Sequence, residues 1–228
     1  MNVEVLDDPA AAAAERIAAA CRSGANVVLT GGSTPRAAYE RLATMGLDLG
    51  GVRFWFTDER CVPPEDERSN FGMAREAWLG RASGVGAVHR IEGELGPHAG
   101  AARYAEALRA GFPEAAEWPR MDLVLLGLGP DAHVCSLFPG QAAIRERERW
   151  AVGVERPGLE PRMPRVTLTL PVVNAALELV FLVTGEDKAE AAARAFTGGP
   201  DPDAPGSLVR PADGSLTVLL DRAAAARL

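Results

Sequence analysis

The hydrophobic positions of this chain fall into short continuous runs separated by longer amphipathic stretches. Three runs, at residues 27–29, 123–126 and 179–184, are almost entirely apolar, which is typical of strands buried on both faces of a parallel sheet. Strands alternating with helices at this spacing predict an α/β fold, with a mostly parallel Rossmann-like sheet and helices on both faces. The 228 residues fit a single domain over residues 1–228, alone or with a small additional lobe.

The remaining elements follow from helical periodicity and from turn residues. Asp8 followed by Pro9 predicts the capped start of a helix. Residues 155–164 contain three prolines and one glycine, which predicts an irregular loop with the composition of a flap. The other predicted helices are one from Pro35, 99–110, 141–150 and a short one from 223, and the other predicted strands are 3–6, 52–57, 165–170 and 216–220.

Charge and composition narrow the functional classes. A net charge of −7 and a pI near 5.1 argue against a general nucleic-acid or anionic-membrane surface. The N-terminus has no basic region followed by an apolar core, and no apolar run approaches the roughly 18 residues that span a bilayer. Three cysteines without a Cys-x-x-Cys pair fit reduced thiols in a cytoplasmic protein. The three histidines lack metal-ligand spacing, so we expect no metal and no cofactor.

The stretch from Met121 to Gly140 presents two candidate catalytic side chains. Glycines and a proline break the predicted strand after residue 126, and Asp131 and His133 follow this break. Ligands of open α/β sheets bind outside the carboxyl ends of the strands, and histidine titrates nearest to neutral pH. The pattern therefore predicts catalysis here. The alternative is an Asx-turn at Asp131 with a structural His133.

A glycine-rich turn joins the first buried strand to the second helix. Gly31 and Gly32 let the backbone approach an anion, and Ser33 and Thr34 offer hydroxyls for a helix cap. The free N–H groups and the helix dipole at such a turn favour negative charge. The turn is neither a Walker loop nor a Gly-x-Gly-x-x-Gly motif. It predicts a phosphate site, with an ordinary capped turn as the alternative.

Three charged residues, Asp58, Glu59 and Arg60, follow the aromatic strand at 52–57. Charges are costly in a core, so we expect them in a loop at the carboxyl edge of the sheet, beside residues 131–133. The alternative is solvated loop charge without a function.

Lys188 is the only lysine among the 24 basic residues. A compact, mobile ammonium differs from a guanidinium in shape and hydration, so a single lysine suggests a specific use, with drift as the alternative. Lys188 also begins a predicted helix, where a cation opposes the dipole unless an anion lies there too. This conflict favours a phosphate-binding role.

Several blocks of the sequence resemble, in number and order, those of the 6-phosphogluconolactonase family, part of a larger group that also holds glucosamine-6-phosphate deaminases. The resemblance covers nearly the whole chain. The blocks are Gly31–Pro35, Asp58–Arg60 with Val62, Pro63, Ser69 and Asn70, Gly127–Pro139, Arg165–Leu168, Gly185–Lys188, Pro205–Leu208 and Asp221–Ala224.

The chain departs from the family pattern at two positions. Ala132 stands where the family usually has glycine, and Cys135 replaces a more common small residue. If the backbone at Ala132 has a positive φ, the alanine destabilises the loop by about 1 kcal/mol or more.

The resemblance implies metal-independent hydrolysis of 6-phospho-D-glucono-1,5-lactone to 6-phosphogluconate, in the pentose phosphate pathway. His133 is then expected to be the general base that activates water. Asp131 or Asp58 is expected to orient the imidazole and stabilise its charged form. The oxyanion donors are expected to be backbone N–H groups of residues 127–132 or an arginine.

The implied phosphate site combines the glycine-rich turn, residues 31–34, with Lys188 and with Arg60 or Arg165. The implied partner is a small-molecule phosphosugar lactone, without a nucleic-acid or membrane partner. The full set expected to bind substrate is Gly31, Gly32, Ser33, Thr34, Arg60, Asn70, Arg165 and Lys188.

Three alternatives stay open at the level of sequence. The first is a covalent route through Cys135 or Ser136, although neither lies in a Gly-x-Ser-x-Gly elbow. A phosphosugar deaminase or isomerase of the same fold is the second. The third is a non-catalytic phosphosugar-binding module, which needs the phosphate residues but not Asp131 and His133.

Overall fold

A seven-stranded parallel sheet forms the centre of the molecule, in a computed structural model that describes residues 1–228. The strand order is β1-β10-β9-β6-β2-β3-β5, and every neighbouring pair is parallel. The predicted α/β fold with a mostly parallel sheet is therefore confirmed. The strands are β1 (Asn2–Val5), β2 (Asn26–Leu29), β3 (Arg53–Phe56), β5 (Ala87–Val88), β6 (Leu123–Leu126), β9 (Glu178–Val183) and β10 (Ser215–Leu220).

Six α-helices connect or flank these strands. The predicted cap of the first helix is confirmed, because the Asp8 carboxylate accepts the N–H of Ala11 at 3.0 Å. The helices are α1 (Pro9–Ala20), α2 (Ser33–Leu42), α3 (Asn70–Ala74), α4 (Pro97–Gly111), α5 (Leu170–Asn174) and α6 (Ala189–Phe196). Single turns of π-helix (Arg75–Leu79) and 3₁₀-helix (Gly93–Leu95, Ala142–Arg145, Glu186–Lys188 and Pro205–Leu208) complete the helical structure.

A small antiparallel sheet forms the additional lobe that the sequence allowed. It consists of β4 (Asp58–Arg60), β8 (Arg165–Leu168) and β7 (Ala151–Val154), in the order β4-β8-β7. Residues 58–60 lie at the carboxyl edge of the central sheet, as predicted, but they form a strand and not the expected loop. Asp58 and Glu59 are buried in a strand. Hydrogen bonds to both carboxylates offset the free-energy cost of burying their charge.

The helix predicted at residues 141–150 is absent apart from one 3₁₀ turn, Ala142–Arg145. The Glu146 carboxylate accepts the N–H groups of Arg147, Glu148 and Arg149 at 2.9, 2.8 and 3.1 Å. These bonds replace the main-chain bonds that a helix needs. The short helix predicted from residue 223 is also wrong, since residues 222–227 form turns.

The two sheets share a hydrophobic core. One cluster of 59 buried residues includes Leu126 of the central sheet and Leu168 of the small sheet, and α4 packs against β7 and β8. The single domain over residues 1–228 stays a prediction, which this shared core supports. None of the helices has the length and apolar character needed to span a membrane.

Candidate active site

A cleft of about 260 Å³ lies at the carboxyl ends of β2, β3, β6 and β9. This is the position where open α/β sheets bind ligands. Most of the predicted site residues line it: Gly31, Gly32, Asp58, Arg60, Asn70, His133, Arg165 and Lys188. The other three differ, because Asp131 contacts His133, whereas Ser33 and Thr34 line a separate depression.

An imidazole and a carboxylate form a close pair at the cleft. Nδ1 of His133 lies 2.5 Å from Oδ1 of Asp131, which also accepts the backbone N–H of His133 at 3.1 Å. Burial by itself raises the pKa of Asp131, but hydrogen bonds and the attraction of His133 outweigh it, so this pKa is lowered. Since a carboxylate can only accept, Nδ1 carries the proton and Nε2 is free to take one.

The turn that carries this pair has an unusual backbone. Ala132 has φ +66° and Cys135 has φ +53°, so the condition under which the alanine was expected to destabilise the loop is met. Two main-chain hydrogen bonds hold this conformation. The N–H of Ala132 donates to the carbonyl of Gly129, and the carbonyl of Ala132 accepts the N–H of Gly206. Gly129 must lack a side chain, because an added Cβ would lie 2.0 Å from Nδ1 of His133.

Asp58 is buried beneath the cleft and does not contact the imidazole. Its Oδ2 accepts the hydroxyl of Ser136 at 2.6 Å, and its Oδ1 accepts that of Thr57 at 2.9 Å. A threonine hydroxyl has one proton, and Thr57 donates it to Asp58. In its contact with the Thr30 hydroxyl, Thr57 is therefore the acceptor. Of the two carboxylates that the sequence left open, Asp131 is therefore the one in contact with His133.

Glu59 uses its buried carboxylate to hold the segment that carries Asn70. It accepts the N–H groups of Asn70 and Phe71 at 2.7 and 2.8 Å, and the hydroxyl of Ser69 at 3.0 Å. Burial raises the pKa of Glu59, and these hydrogen bonds counteract the rise. Asn70 then donates Nδ2 to the carbonyl of Asp58 at 2.9 Å.

The amide of Asn70 explains why residue 31 is glycine. A Cβ added to Gly31 would lie 1.8 Å from Oδ1 of Asn70, so any larger residue would displace this amide. Oδ1 itself is buried without a hydrogen-bond partner. The glycine-rich turn therefore packs directly against the side chain of Asn70.

The glycine-rich turn differs from its prediction in the use of its hydroxyls. Gly32, with φ +116°, is the N-cap of α2, and no side chain caps the helix. Ser33 and Thr34 lie in the first turn and face a depression outside the cleft, where the Thr34 hydroxyl contacts Thr184. Their backbone N–H groups, like those of Gly31 and Gly32, donate to no protein acceptor. The turn thus offers N–H groups, rather than hydroxyls, to an anion.

Two arginines at paired strand positions have no carboxylate partner. Arg60 and Arg165 face each other across the β4–β8 pair, and neither forms a salt bridge. Each has a buried Nε without a hydrogen-bond partner. Burial lowers the pKa of Arg165, and Arg60 adds to this, against the attraction of Asp58. Like charges placed opposite each other are destabilising, so the pair favours a bound anion.

Lys188 brings a third cationic side chain to the cleft. It lies at the N-cap of α6, as the sequence predicted for a helix start, and its side chain is 23% exposed. Its Nζ lies 3.2 Å from the carboxylate of Asp187, which is largely exposed. The opposition between this ammonium and the helix dipole is therefore present in the structure.

The two residues considered for a covalent route are not placed as nucleophiles. Burial raises the pKa of the Cys135 thiol well above its usual value, an effect to which Asp58 adds. Ser136 is fully buried and donates its hydroxyl to Asp58. The Cys135 thiol is therefore kept protonated, and the Ser136 hydroxyl is out of reach of a bound substrate.

Some residues of the site could not be found from the sequence. Thr30 and the segment Leu159–Pro161 line the cleft, and Thr57 supports Asp58 beneath it. A threonine at the end of a strand carries no signal of a buried hydroxyl network, and the composition of a loop does not show which cleft the loop covers. The loop at 155–164 is irregular as predicted, and its action as a flap stays a prediction.

A larger cavity, of about 490 Å³, lies elsewhere, beside Met1 and the start of β10. Its single charged side chain is Arg210, whose guanidinium donates to the carbonyls of Ser207 and Gly198. It lacks the convergent polar groups that mark a catalytic site.

Comparison with known proteins agrees with the motifs. The family model described as glucosamine-6-phosphate isomerases/6-phosphogluconolactonase matches residues 2–218. The chain belongs to this family. It is 39% identical over 208 residues to a 6-phosphogluconolactonase of Nostoc sp., covering 89% of this chain and 84% of that one. It is also 39% identical over 223 residues to one of Streptomyces coelicolor, covering 92% and 85%.

Membership of the glucosamine-6-phosphate isomerase/6-phosphogluconolactonase family extends to the three-dimensional structure. The solved 6-phosphogluconolactonase from Trypanosoma cruzi superposes with a TM-score of 0.88 at 26% identity, covering 100% of this chain and 96% of that one. The resemblance and the fold expected from the sequence are thus confirmed. The family description names both isomerases and lactonases, so the chemistry of this chain has to be argued from its cleft.

Proposed function

We propose that this chain hydrolyses 6-phospho-D-glucono-1,5-lactone to 6-phosphogluconate, a step of the pentose phosphate pathway. The observation that carries the proposal is one cleft holding both the His133–Asp131 pair and three cationic side chains, in a chain of net charge −7. An ester needs a base to activate water, and a phosphate needs local positive charge. The names of the relatives support the same substrate.

In the proposed reaction, His133 acts as the general base. Nε2 takes a proton from water while the oxygen attacks C1 of the lactone, and Asp131 stabilises the imidazolium that forms. When the tetrahedral intermediate collapses, the bond from C1 to the ring oxygen breaks. The imidazolium returns its proton to this oxygen, which becomes a hydroxyl of the product. Proton transfer of this kind contributes roughly 10²–10⁴-fold in rate.

The developing oxyanion requires a donor near His133. The N–H groups of Gly129 and Ala132 already donate within the turn. Arg165 and His133 both contact the ring of Phe138, at 5.4 and 4.4 Å from its centre. We therefore assign the oxyanion to Arg165, whose preorganised charge can stabilise it.

The phosphate is assigned to the other cationic groups. Lys188 supplies an ammonium, and Arg60 supplies a guanidinium that has no carboxylate partner. The free N–H groups of residues 31–34 complete the site. Ser33 and Thr34 contribute through their backbone in this proposal, rather than through the hydroxyls first expected to bind.

The reaction as proposed assigns no step to a metal or a cofactor, because imidazole, water and fixed cations suffice. We also propose a cytoplasmic enzyme that acts on a free phosphosugar, without a nucleic-acid or membrane partner, which the net charge of −7 supports. Full activity after treatment with a strong chelator is the expected result. Activity lost to the chelator and restored by one added metal would contradict this part.

A lactonase assay with and without the 6-phosphate tests the central proposal. Purified protein is expected to hydrolyse 6-phosphogluconolactone far faster than buffer does, and plain gluconolactone less efficiently. The rival deaminase is tested by ammonia release from glucosamine 6-phosphate. Ammonia release without lactonase activity would replace the proposal with that rival. Tight binding of 6-phosphogluconate without turnover would support the non-catalytic phosphosugar-binding module.

A further inference from the structure

Two contacts outside the cleft hold the turns of the proposed phosphate site from behind: one fixes the Lys188 turn, and the other joins it to the glycine-rich turn. The carboxylate of Asp221 accepts the N–H of Gly185, at 3.2 Å to Oδ1 and 3.0 Å to Oδ2. The hydroxyl of Thr184 lies 2.8 Å from that of Thr34, in the first turn of α2. Nothing in the proposed chemistry uses these groups directly.

The sheet register places Asp221 where it can hold the Lys188 turn. Leu220 pairs with Val183 at the end of the β9–β10 ladder, so the residues that follow these strands lie side by side. Asp221 also accepts the N–H of Ala224 at 2.7 Å, which fixes its carboxylate. The carbonyl of Gly185 in turn accepts the N–H of Lys188 at 3.1 Å.

The Thr34–Thr184 contact ties the glycine-rich turn to the same place. Thr184 precedes Gly185 in the chain, so one short segment is bonded to Asp221 on one side and to α2 on the other. Gly185 has φ +100°. Because glycine adopts many backbone conformations, contacts with neighbouring groups are needed to fix this one. The Lys188 turn and the glycine-rich turn are therefore fixed relative to each other.

We propose that Asp221 and Thr184 are positioning residues that set the spacing between Lys188 and the N–H groups of residues 31–34. The inference rests on the proposed function, since it concerns the same phosphate site. A phosphate is held well only if ammonium and N–H groups reach it together, and small displacements of such groups are costly. Neither residue contacts His133, so the chemical step on a lactone without phosphate does not depend on them.

The hydroxyl pair is tested by a double-mutant cycle. Thr34→Val and Thr184→Val each remove one hydroxyl while nearly keeping the shape of the side chain. Each is expected to raise KM for 6-phosphogluconolactone about three- to tenfold, the range of one hydrogen bond. The double variant should be no worse than either single variant. A larger effect of Thr34→Val, additive with Thr184→Val, would mean that Thr34 binds phosphate itself and would overturn the proposed role of Thr184.

The carboxylate is tested with Asp221→Ala, and with Asp221→Asn if the alanine variant does not fold. KM for the phosphorylated lactone should rise about ten- to hundredfold, because charge-assisted hydrogen bonds are stronger. The kcat on plain gluconolactone should not change. In a Lys188→Ala background the same change should have no further effect on KM, which a merely structural role would not predict. Asp7→Ala is the matched control, since Asp7 lines the same depression and bonds only Arg222 at the surface.

Calorimetric binding of 6-phosphogluconate separates this inference from the function itself. If the wild type binds the product but hydrolyses no lactone, the proposed function falls, and the affinities of the variants still decide the positioning role. If wild type and Asp221 variants have equal affinity for 6-phosphogluconate and equal KM for the lactone, the positioning role is overturned. A wild type that neither binds nor turns over would overturn both.

Discussion

The carboxylate of Asp131 lies 2.5 Å from Nδ1 of His133, two residues further along one turn. A base and its orienting group are usually brought together by the fold, whereas here a local turn with Ala132 at φ +66° does so. The same carboxylate oxygen accepts the backbone N–H of His133. Oδ1 of Asp131 therefore fixes His133 both at its ring and at its backbone N–H.

Replacing the imidazole should remove most of the catalysis and little of the binding. His133→Ala is expected to lower kcat on 6-phosphogluconolactone by about 10²–10⁴-fold, the usual contribution of a general base, with KM nearly unchanged. Steady-state kinetics measures both. His98→Ala is the control, because His98 is exposed and pairs only with Glu155. An unchanged kcat in His133→Ala would exclude the proposed base.

The lowered pKa of Asp131 should appear in the pH dependence of stability. Burial raises this pKa, and the interactions with His133 and the backbone more than reverse the rise. A carboxylate with a lowered folded-state pKa stabilises the fold above its unfolded pKa, about 3.9, and loses this effect as the pH falls through the folded value. Urea unfolding should show wild type more stable than Asp131→Asn at pH 7, with the difference shrinking below pH 4. A difference independent of pH would contradict this assignment.

Much of the central sheet could be predicted from the sequence, because strands buried on both faces of a parallel sheet are short apolar runs. The run at 123–126 became β6 without change. Residues 58–60 could not be assigned in the same way, since their charges suggest a loop. The buried Asp58 carboxylate accepts one of its hydrogen bonds from Ser136, 78 residues away. A long-range hydrogen bond of this kind leaves no local pattern.

The candidate site shows the same division between local and long-range information. Asp131 and His133 could be proposed because they follow a predicted strand, and Lys188 because it is the only lysine and begins a predicted helix. The hydroxyl of Thr34 was placed wrongly, because a hydroxyl at a helix start usually caps the helix. Its partner Thr184 lies 150 residues away and becomes its neighbour only when β9 and β2 enter one sheet.

Removing the ammonium of Lys188 should affect phosphate recognition specifically. Lys188→Ala is expected to raise KM for 6-phosphogluconolactone by about 10–100-fold, the range for a charged hydrogen bond. Plain gluconolactone should be hydrolysed as before, which is the internal control. Arg222→Ala removes one positive charge from an exposed position and should leave both substrates unaffected. Equal losses on both lactones would remove Lys188 from the phosphate site.

Strain at Ala132 can be measured by comparison with an alanine of equal burial. Ala132 and Ala14 are both 0% exposed, but Ala14 lies inside α1 whereas Ala132 has φ +66°. A change to glycine removes one buried methyl group at each position, about 0.8 kcal/mol. In the helix, glycine adds a further penalty of about 0.5–1 kcal/mol. At Ala132, relief of left-handed strain returns roughly 1–2 kcal/mol.

Ala14→Gly should therefore lower the free energy of unfolding by about 1–2 kcal/mol, the sum of the methyl and helix terms. Ala132→Gly should change it little, because relief of strain offsets the other losses. Urea unfolding of both variants at pH 7 measures the difference. If Ala132→Gly destabilises the protein as much as Ala14→Gly does, the turn holds no strain. The left-handed backbone at Ala132 would then hold His133 in the cleft without a cost in the free energy of folding.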